Sequence, residues 1–358
     1  MPLLLSNEDV EKVLDVRECM EALEQAFMDY GDGKAVNRPR SHTFSPIDQE
    51  NFYLFKSMDG AVPRYGVHAL RLTSEVIREY RSGETLRSEK VASLPEGKWL
   101  GLILLFSTKN GELLAIIQDG YLQRMRVGAT SGLAAKHLSR KNSRVVGLFG
   151  SGWQAGAQLL ALSLVRELEL IKVYSPTRAH LKKFVEDMQR QISVEIRGEA
   201  NSCSVVEGSD IIVAATNSLE PVFDGEWIAP GMHVNSVQGG ELDARTLERA
   251  DLIVVRAREP GTYWFPRGHK PKGANRESRF AAVALESKTV ELGEVMHGGG
   301  PGRTNDKQIT FFGGGGTTGS NGLGIQFAAV AARIYALAKQ SGLGRELPLD
   351  WFTQSVHP

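Results

Sequence analysis

Apolar residues along the chain change their spacing twice, and each change predicts a change of element. Near the start, Met20, Leu23 and Phe27 recur at the spacing of one helix face, and the run stops at Gly31. Ser6, with Asp9 three residues on, reads as the N-cap of this helix. From about residue 52 to 120 the pattern is β-rich. Apolar runs at 102–106 and 113–117 flank Lys109-Asn110-Gly111, a hairpin turn. Helical composition returns from Arg124 to Leu138, and the polar residues 139–143 read as a connection into a second domain. Beyond them, strands at 145–149, 170–174, 211–215, 233–237 and 252–255 follow one another. Helices come between them, one beginning near Trp153 and one over 181–191. This alternation predicts an α/β fold with a parallel, doubly wound sheet of the Rossmann type. The glycine-dense stretches 298–300 and 313–316 are either flexible connections or places where backbone closely approaches a ligand. An Ala-rich helix over 325–340, ended by Gly342, closes the chain.

The 358-residue length suits two domains at roughly 150 residues each. Lys plus Arg and Asp plus Glu both total 42, so no net field attracts nucleic acid or an anionic membrane, and a small-molecule partner is expected. Cys19 and Cys203 have no CxxC spacing and the histidines form no HxxxH or HExxH pair, so no disulfide, zinc or other metal site is expected. The apolar run at the N-terminus is too short for a signal peptide, and nothing reaches the ~18 apolar residues of a membrane helix. A reducing cytoplasm fits these features.

Chemistry concentrates after the strand at 145–149. Gly150-Ser151-Gly152-Trp153-Gln154-Ala155 stands between that strand and helical sequence, the context of a dinucleotide-binding loop. The first glycine makes the tight turn, the second lets backbone approach a pyrophosphate, and the small third residue lets helix pack on strand. The pyrophosphate then rests on the free N–H groups of the helix start. At the end of the next strand, where an acid would bind the ribose 2′-OH of NAD, the sequence is Ser175-Pro176-Thr177-Arg178. Two hydroxyls and a guanidinium there point to the 2′-phosphate of NADP(H) rather than to NAD(H). The alternative is that Arg178 is a solvated residue at a helix start.

With these motifs in hand, the chain resembles the ornithine cyclodeaminase/mu-crystallin family over nearly its whole length. The similarity is carried by Arg126-Val127-Gly128-Ala129-Thr130 before an Ala-rich stretch, and by the 150–155 loop with its Gln154. Two further segments complete it, Asp210 to Ser218 and His233-Val234-Asn235-Ser236-Val237. The resemblance implies a Rossmann-type NADP-binding domain over 126–319. A mixed α+β substrate-binding and dimerisation domain would comprise 1–125 with 320–358, in a homodimer. It puts Thr216, Asn217 and Val237 at the cofactor, and Arg40 and Arg126 on a substrate carboxylate, where two guanidiniums can aim the adjacent carbon at the nicotinamide.

Two positions depart from the family. Its lysine, thirteen residues after a methionine, falls on Arg71 when counted from Met58. An arginine orients and assists electrostatically but does not deprotonate usefully near neutral pH. His68 titrates in the right range, yet strand alternation puts it on the opposite face from Arg71. The cyclodeaminase aspartate after the 233–237 strand is also missing. Glu241 is the nearest carboxylate, with a structural role at the next helix as the alternative.

These features favour an NADPH-dependent reductase of imines that bear an α-carboxylate, of the pyrroline- or piperideine-2-carboxylate type or like an amino-acid dehydrogenase. Arg40 and Arg126 would hold the acid group, and Arg71, Glu241 or His68 would serve the chemistry. The alternatives are a cyclodeaminase that releases ammonia using bound NAD, and a crystallin-like protein that binds cofactor and ligand with little turnover.

Overall fold

The computed structural model describes residues 1–82, 85–92, 94–218, 220–258, 263–265, 285–313 and 322–356. Two sheets organise the chain. The first runs, edge to edge, through Tyr263–Phe265, Ser41–Pro46, Asn51–Val62, Val67–Ser82, Leu100–Ser107, Leu113–Gln118, Leu3–Leu5 and Arg345–Glu346. Its central pairs are antiparallel, and the expected hairpin joins Leu100–Ser107 to Leu113–Gln118 with Gly111 at a φ of +74°, a conformation that glycine adopts without a Cβ penalty. The second sheet is parallel throughout. Its order is Glu195–Gly198, Leu170–Tyr174, Val145–Phe149, Ile211–Ala214, His233–Ser236, Thr310–Gly313, Leu252–Val255 and Thr289–Glu291.

The Rossmann-type alternation is therefore present, with three strands that the sequence pattern did not announce, at 195–198, 289–291 and 310–313. The last lies in what read as the approach to a glycine loop; all four of its residues are buried, between two other strands. Residues 314–316 of that glycine run lie outside the described residues. The opening helix is two helices, Asn7–Val13 and Val16–Gly31. Ser6 and Asp9 form the capping box of the first. Leu14 then leaves helical geometry, and the Asp15 carboxylate accepts the Glu18 N–H at 2.8 Å to start the second. No helix among the described residues is long and apolar enough to cross a membrane.

Helix Gly120–Leu138 joins the two sheets and is buried on most sides. Its glycines let it lie against helix Trp153–Val165 at backbone distance. A Cβ on Gly128 would stand 2.3 Å from the Ala157 carbonyl oxygen, and one on Gly132 would stand 2.7 Å from the Ala161 Cβ. The closing helix, Gly324–Ser341, returns to the first sheet in the same way. A Cβ on Gly324 would fall 1.9 Å from the Asp59 carbonyl oxygen, and one on Gly60 would fall 2.6 Å from the Ile325 nitrogen.

Gly324→Ala therefore forces helix and strand apart. It is expected to lower the chemical-denaturation stability by about 3 kcal/mol, and an unchanged midpoint would contradict this packing.

His233 supplies a pH dependence. It is fully buried between Thr310 and Asn235, and burial, followed by the Arg303 charge, depresses its pKa to about 3. The unfolded chain takes up a proton near pH 6.5 that the folded chain refuses. Stability is thus full above pH 6.5 and falls as pH drops from 6.5 toward 3, by up to about 1.4 kcal/mol per pH unit. Glu241, whose pKa burial raises, works with the opposite sign and offsets part of this. His233→Gln should shed one proton from the slope in denaturation series between pH 4.5 and 6.5; parallel slopes for the two proteins would refute the assignment.

Candidate functional site

A cleft of about 850 Å³ opens at the carboxyl ends of the parallel strands. This is where doubly wound sheets bind their ligands. Gly150, at a φ of +110°, makes the turn out of strand Val145–Phe149, and a Cβ there would stand 2.4 Å from the Ala215 carbonyl oxygen. Gly152 is the opposite case: a Cβ would meet nothing within 4 Å, so the loop presents open backbone to the cleft. Helix Trp153–Val165 starts immediately after it, with no side chain capping its first N–H groups. The Gln154 Oε1 is buried beside them without a hydrogen-bond partner among the described residues. Ala155 is fully buried beneath. Free helix N–H groups, an orphaned amide oxygen and an uncluttered glycine fit the pyrophosphate of a dinucleotide.

At the adenosine end, the Ser151 hydroxyl donates to Ser175 at 2.9 Å, and Ser175 and Thr177 line the cleft together with His180, which the sequence reading passed over. Arg178 departs from expectation. Its guanidinium donates to the carbonyl oxygens of Glu199 and Ala200, both at 3.0 Å, and it does not line the cleft. It pins helix Arg178–Gln189 to the segment after strand Glu195–Gly198. Thr216 and Asn217 line the cleft as expected, whereas Val237 does not and its neighbour Gln238 does.

Glu241 also departs from expectation. It is fully buried, and one oxygen accepts from the Thr216 N–H while the other accepts the Gln238 N–H at 2.9 Å and the Ser236 hydroxyl at 3.2 Å. Burial raises its pKa while these donors lower it. With both oxygens engaged, Glu241 braces the two loops that carry Thr216 and Gln238.

The substrate-side residues gather where helix Gly120–Leu138 leaves the first sheet. Asp119 occupies the N-cap of this helix, yet its carboxylate takes no helix N–H. Gln118 accepts from Gly120 at 2.6 Å and Asn7 accepts from Tyr121 at 2.7 Å in its place. Asp119 is thereby freed for Arg71, whose Nε and terminal nitrogen donate to it at 2.9 and 2.6 Å. Arg126 donates to the amide oxygens of Gln123 and of Gln326 on the closing helix. Gln326 is itself fixed by Thr130 at 2.6 Å. The guanidiniums of Arg126 and Arg71 stand over the Phe327 ring, 4.9 and 5.3 Å from its centre. Burial pushes the Arg126 pKa well down, and the charges of Arg71, Arg256 and Arg40 push it further. Burial likewise lowers Arg40 and Arg256 to about 10. Arg40 thus acts on the charge of Arg126, and so does Arg256, which no motif flagged.

Lys56 is a second residue beyond the reach of sequence reasoning. It pairs in register with Thr73, two residues along from the Met58–Arg71 pair, and so shares a strand face with Arg71. Its ammonium donates to Glu75 at 2.6 Å, and burial, outweighing the opposing pull of Glu75, brings its pKa to about 8. His68 sits on the other face, 3.4 Å from the Asp59 carboxylate and 40% exposed.

Comparison with known proteins agrees with this geometry. The family model described as ornithine cyclodeaminase/mu-crystallin matches residues 1–342. An alanine dehydrogenase of Archaeoglobus fulgidus is 31% identical across 96% of this chain and 98% of its own length. A Δ1-pyrroline-2-carboxylate reductase of Bacillus thuringiensis is 31% identical across 74% and 81% respectively. The solved structure of Thermococcus litoralis Δ1-pyrroline-2-carboxylate reductase with NADH and L-proline is 30% identical. It covers 96% of this chain and the whole of its own at a TM-score of 0.78. With a family match over nearly its full length and a cleft whose loop fits the pyrophosphate of a dinucleotide, the chain belongs to the ornithine cyclodeaminase/mu-crystallin family.

Proposed function

We propose that the protein is an NADPH-dependent reductase of imines bearing an α-carboxylate, of the pyrroline- or piperideine-2-carboxylate type or formed from a 2-oxo acid and an amine. The observation that carries this reading is the pair of buried guanidiniums, Arg71 and Arg126, over Phe327, with Arg40 in the same cluster and Asp119 bonded only to Arg71. Positive charge left over in a buried site calls for an anion. A bound nicotinamide supplies the hydride that reduces the imine carbon. Arg40 and Arg126 hold the substrate carboxylate, and Arg71, locked by Asp119, fixes its orientation.

The proton that completes the amine comes from Lys56. Arg71 is committed to Asp119, Glu241 is committed to its three donors, and His68 lies on the other strand face. A lysine brought to about 8 is protonated at neutral pH yet close enough to titration to give the proton up. The cyclodeaminase alternative needs a free carboxylate at the substrate amine, and the engagement of Glu241 argues against it. Membership of the family also supports a homodimer.

For the cofactor, the reading rests on the absence of an acid at Ser175-Pro176-Thr177, with the hydroxyls of Ser175 and Thr177 and the ring of His180 left to meet a 2′-phosphate. NADPH is expected to bind at least tenfold more tightly than NADH, a difference of about 1.4 kcal/mol, and Thr177→Asp should reverse the order. Equal affinity of the wild-type protein for both in fluorescence titration would overturn the NADP assignment.

Turnover is measured as NADPH oxidation with pyrroline-2-carboxylate, with piperideine-2-carboxylate, and with pyruvate plus an amine. Arg126→Ala should lower kcat/KM by roughly a hundredfold, about 2.7 kcal/mol. Lys56→Met should lower kcat by a similar factor and abolish the decline in activity above pH 8 that deprotonation of Lys56 produces. Binding of cofactor without turnover of any imine would favour the crystallin-like alternative. Ammonia release from ornithine or lysine without net change in the cofactor would favour the lyase.

A further inference from the structure

Arg256 ends strand Leu252–Val255 on the nucleotide side of the molecule and is 1% exposed. Its guanidinium stands over the Phe312 ring, 4.9 Å from the centre, and its Nε and one terminal nitrogen have no hydrogen-bond partner among the described residues. It is close enough to Arg126 and Arg40 to act on the charge of both. The Arg40 Nε is likewise buried and without a partner.

The acids near the cluster are fewer than its cations. Asp119 gives one oxygen to Arg71, and its other oxygen is buried without a partner among the described residues. Glu75, the acid that acts on Arg40, gives one oxygen to Lys56 and the other to Lys90, both at 2.6 Å. Arg126 has only amide oxygens. A single substrate carboxylate, however well gripped by Arg40 and Arg126, leaves Arg256 buried and without a partner among the described residues, an arrangement that proteins avoid.

The cofactor does not account for Arg256 either. Three strands stand between Leu252–Val255 and the strand that carries the phosphate loop. At the usual strand spacing the two ends are about 19 Å apart, so Arg256 is remote from the pyrophosphate and lies toward the arginine cluster.

We propose that the substrate is a dianion, an imine of a 2-oxo dicarboxylic acid, with its α-carboxylate on Arg40 and Arg126 and its side-chain carboxylate on Arg256. This rests on the reductase reading for the reaction but not for the binding. The balanced step is condensation of the 2-oxo dicarboxylate with ammonia and loss of water. Hydride from NADPH then reaches the imine carbon and one proton reaches nitrogen, giving a 2-amino dicarboxylate and NADP⁺.

Binding and turnover test the two readings separately. In titration calorimetry of the NADP⁺-loaded protein at fixed ionic strength, glutarate or succinate should bind at least tenfold more tightly than butyrate. Arg256→Met should remove that advantage while changing butyrate affinity less than threefold, and Arg256→Lys, which keeps the charge, should keep part of it. Equal affinity of the wild-type protein for mono- and dicarboxylates overturns the proposal, as does an Arg256→Met variant that loses both equally. Turnover of pyrroline-2-carboxylate or pyruvate imines with no gain from oxaloacetate or 2-oxoglutarate plus ammonia also overturns it and leaves the reductase reading intact. Selective dicarboxylate binding with no reduction of any imine refutes the reductase reading and supports this one.

Discussion

Positive charge buried at one point organises this molecule. Arg126 rises from the helix that joins the two sheets, and everything around it either relieves its charge or adds to it. Gln123 and Gln326 donate no charge, only oxygen; Phe327 offers a ring face; Arg71 brings a second cation together with its own acid, Asp119. Removing guanidiniums from water is costly unless anions or dipoles replace the hydration. The free protein therefore holds buried positive charge that a bound anion would relieve.

Two backbone contacts make the arrangement geometrically possible. The glycines of helix Gly120–Leu138 bring it against helix Trp153–Val165, which begins at the phosphate loop, and Arg124 donates to the Trp153 carbonyl, so Arg126 and the phosphate loop lie toward the same end of one packed pair. Gly60 and Gly324 press the closing helix onto the first sheet, which brings Gln326 and Phe327 to Arg126. Because close-packed contacts of this kind do not stretch, a shift of the nucleotide loop is transmitted to the arginine cluster rather than absorbed.

The sequence was legible where chemistry is local. The phosphate loop needs only a strand, six residues and a helix start, and five of the eight parallel strands announce themselves as short apolar runs between helical stretches. It was illegible where a side chain's role depends on a distant partner. Arg178 finds its carbonyl partners 21 and 22 residues away, and Glu241 reaches a backbone N–H 25 residues back, so neither could be distinguished from a ligand-binding residue by pattern. Lys56 and Arg256 are hidden for a different reason. Long charged residues usually read as surface, and only the strand register of the one, half-buried beside Glu75, and the sheet order of the other, fully buried, reveal where they stand.

Chain order adds a temporal dimension. The closing helix is made after the whole parallel sheet, and yet it covers a sheet whose central strands all come from the first third of the chain. During synthesis, Arg71 and Arg126 exist for some two hundred residues before Gln326 and Phe327 emerge to meet them. The nucleotide sheet, built of neighbours in sequence, can close first, while the N-terminal sheet waits with an uncovered apolar face. The surroundings of Arg126 are thus completed last, after every strand around the phosphate loop has been made.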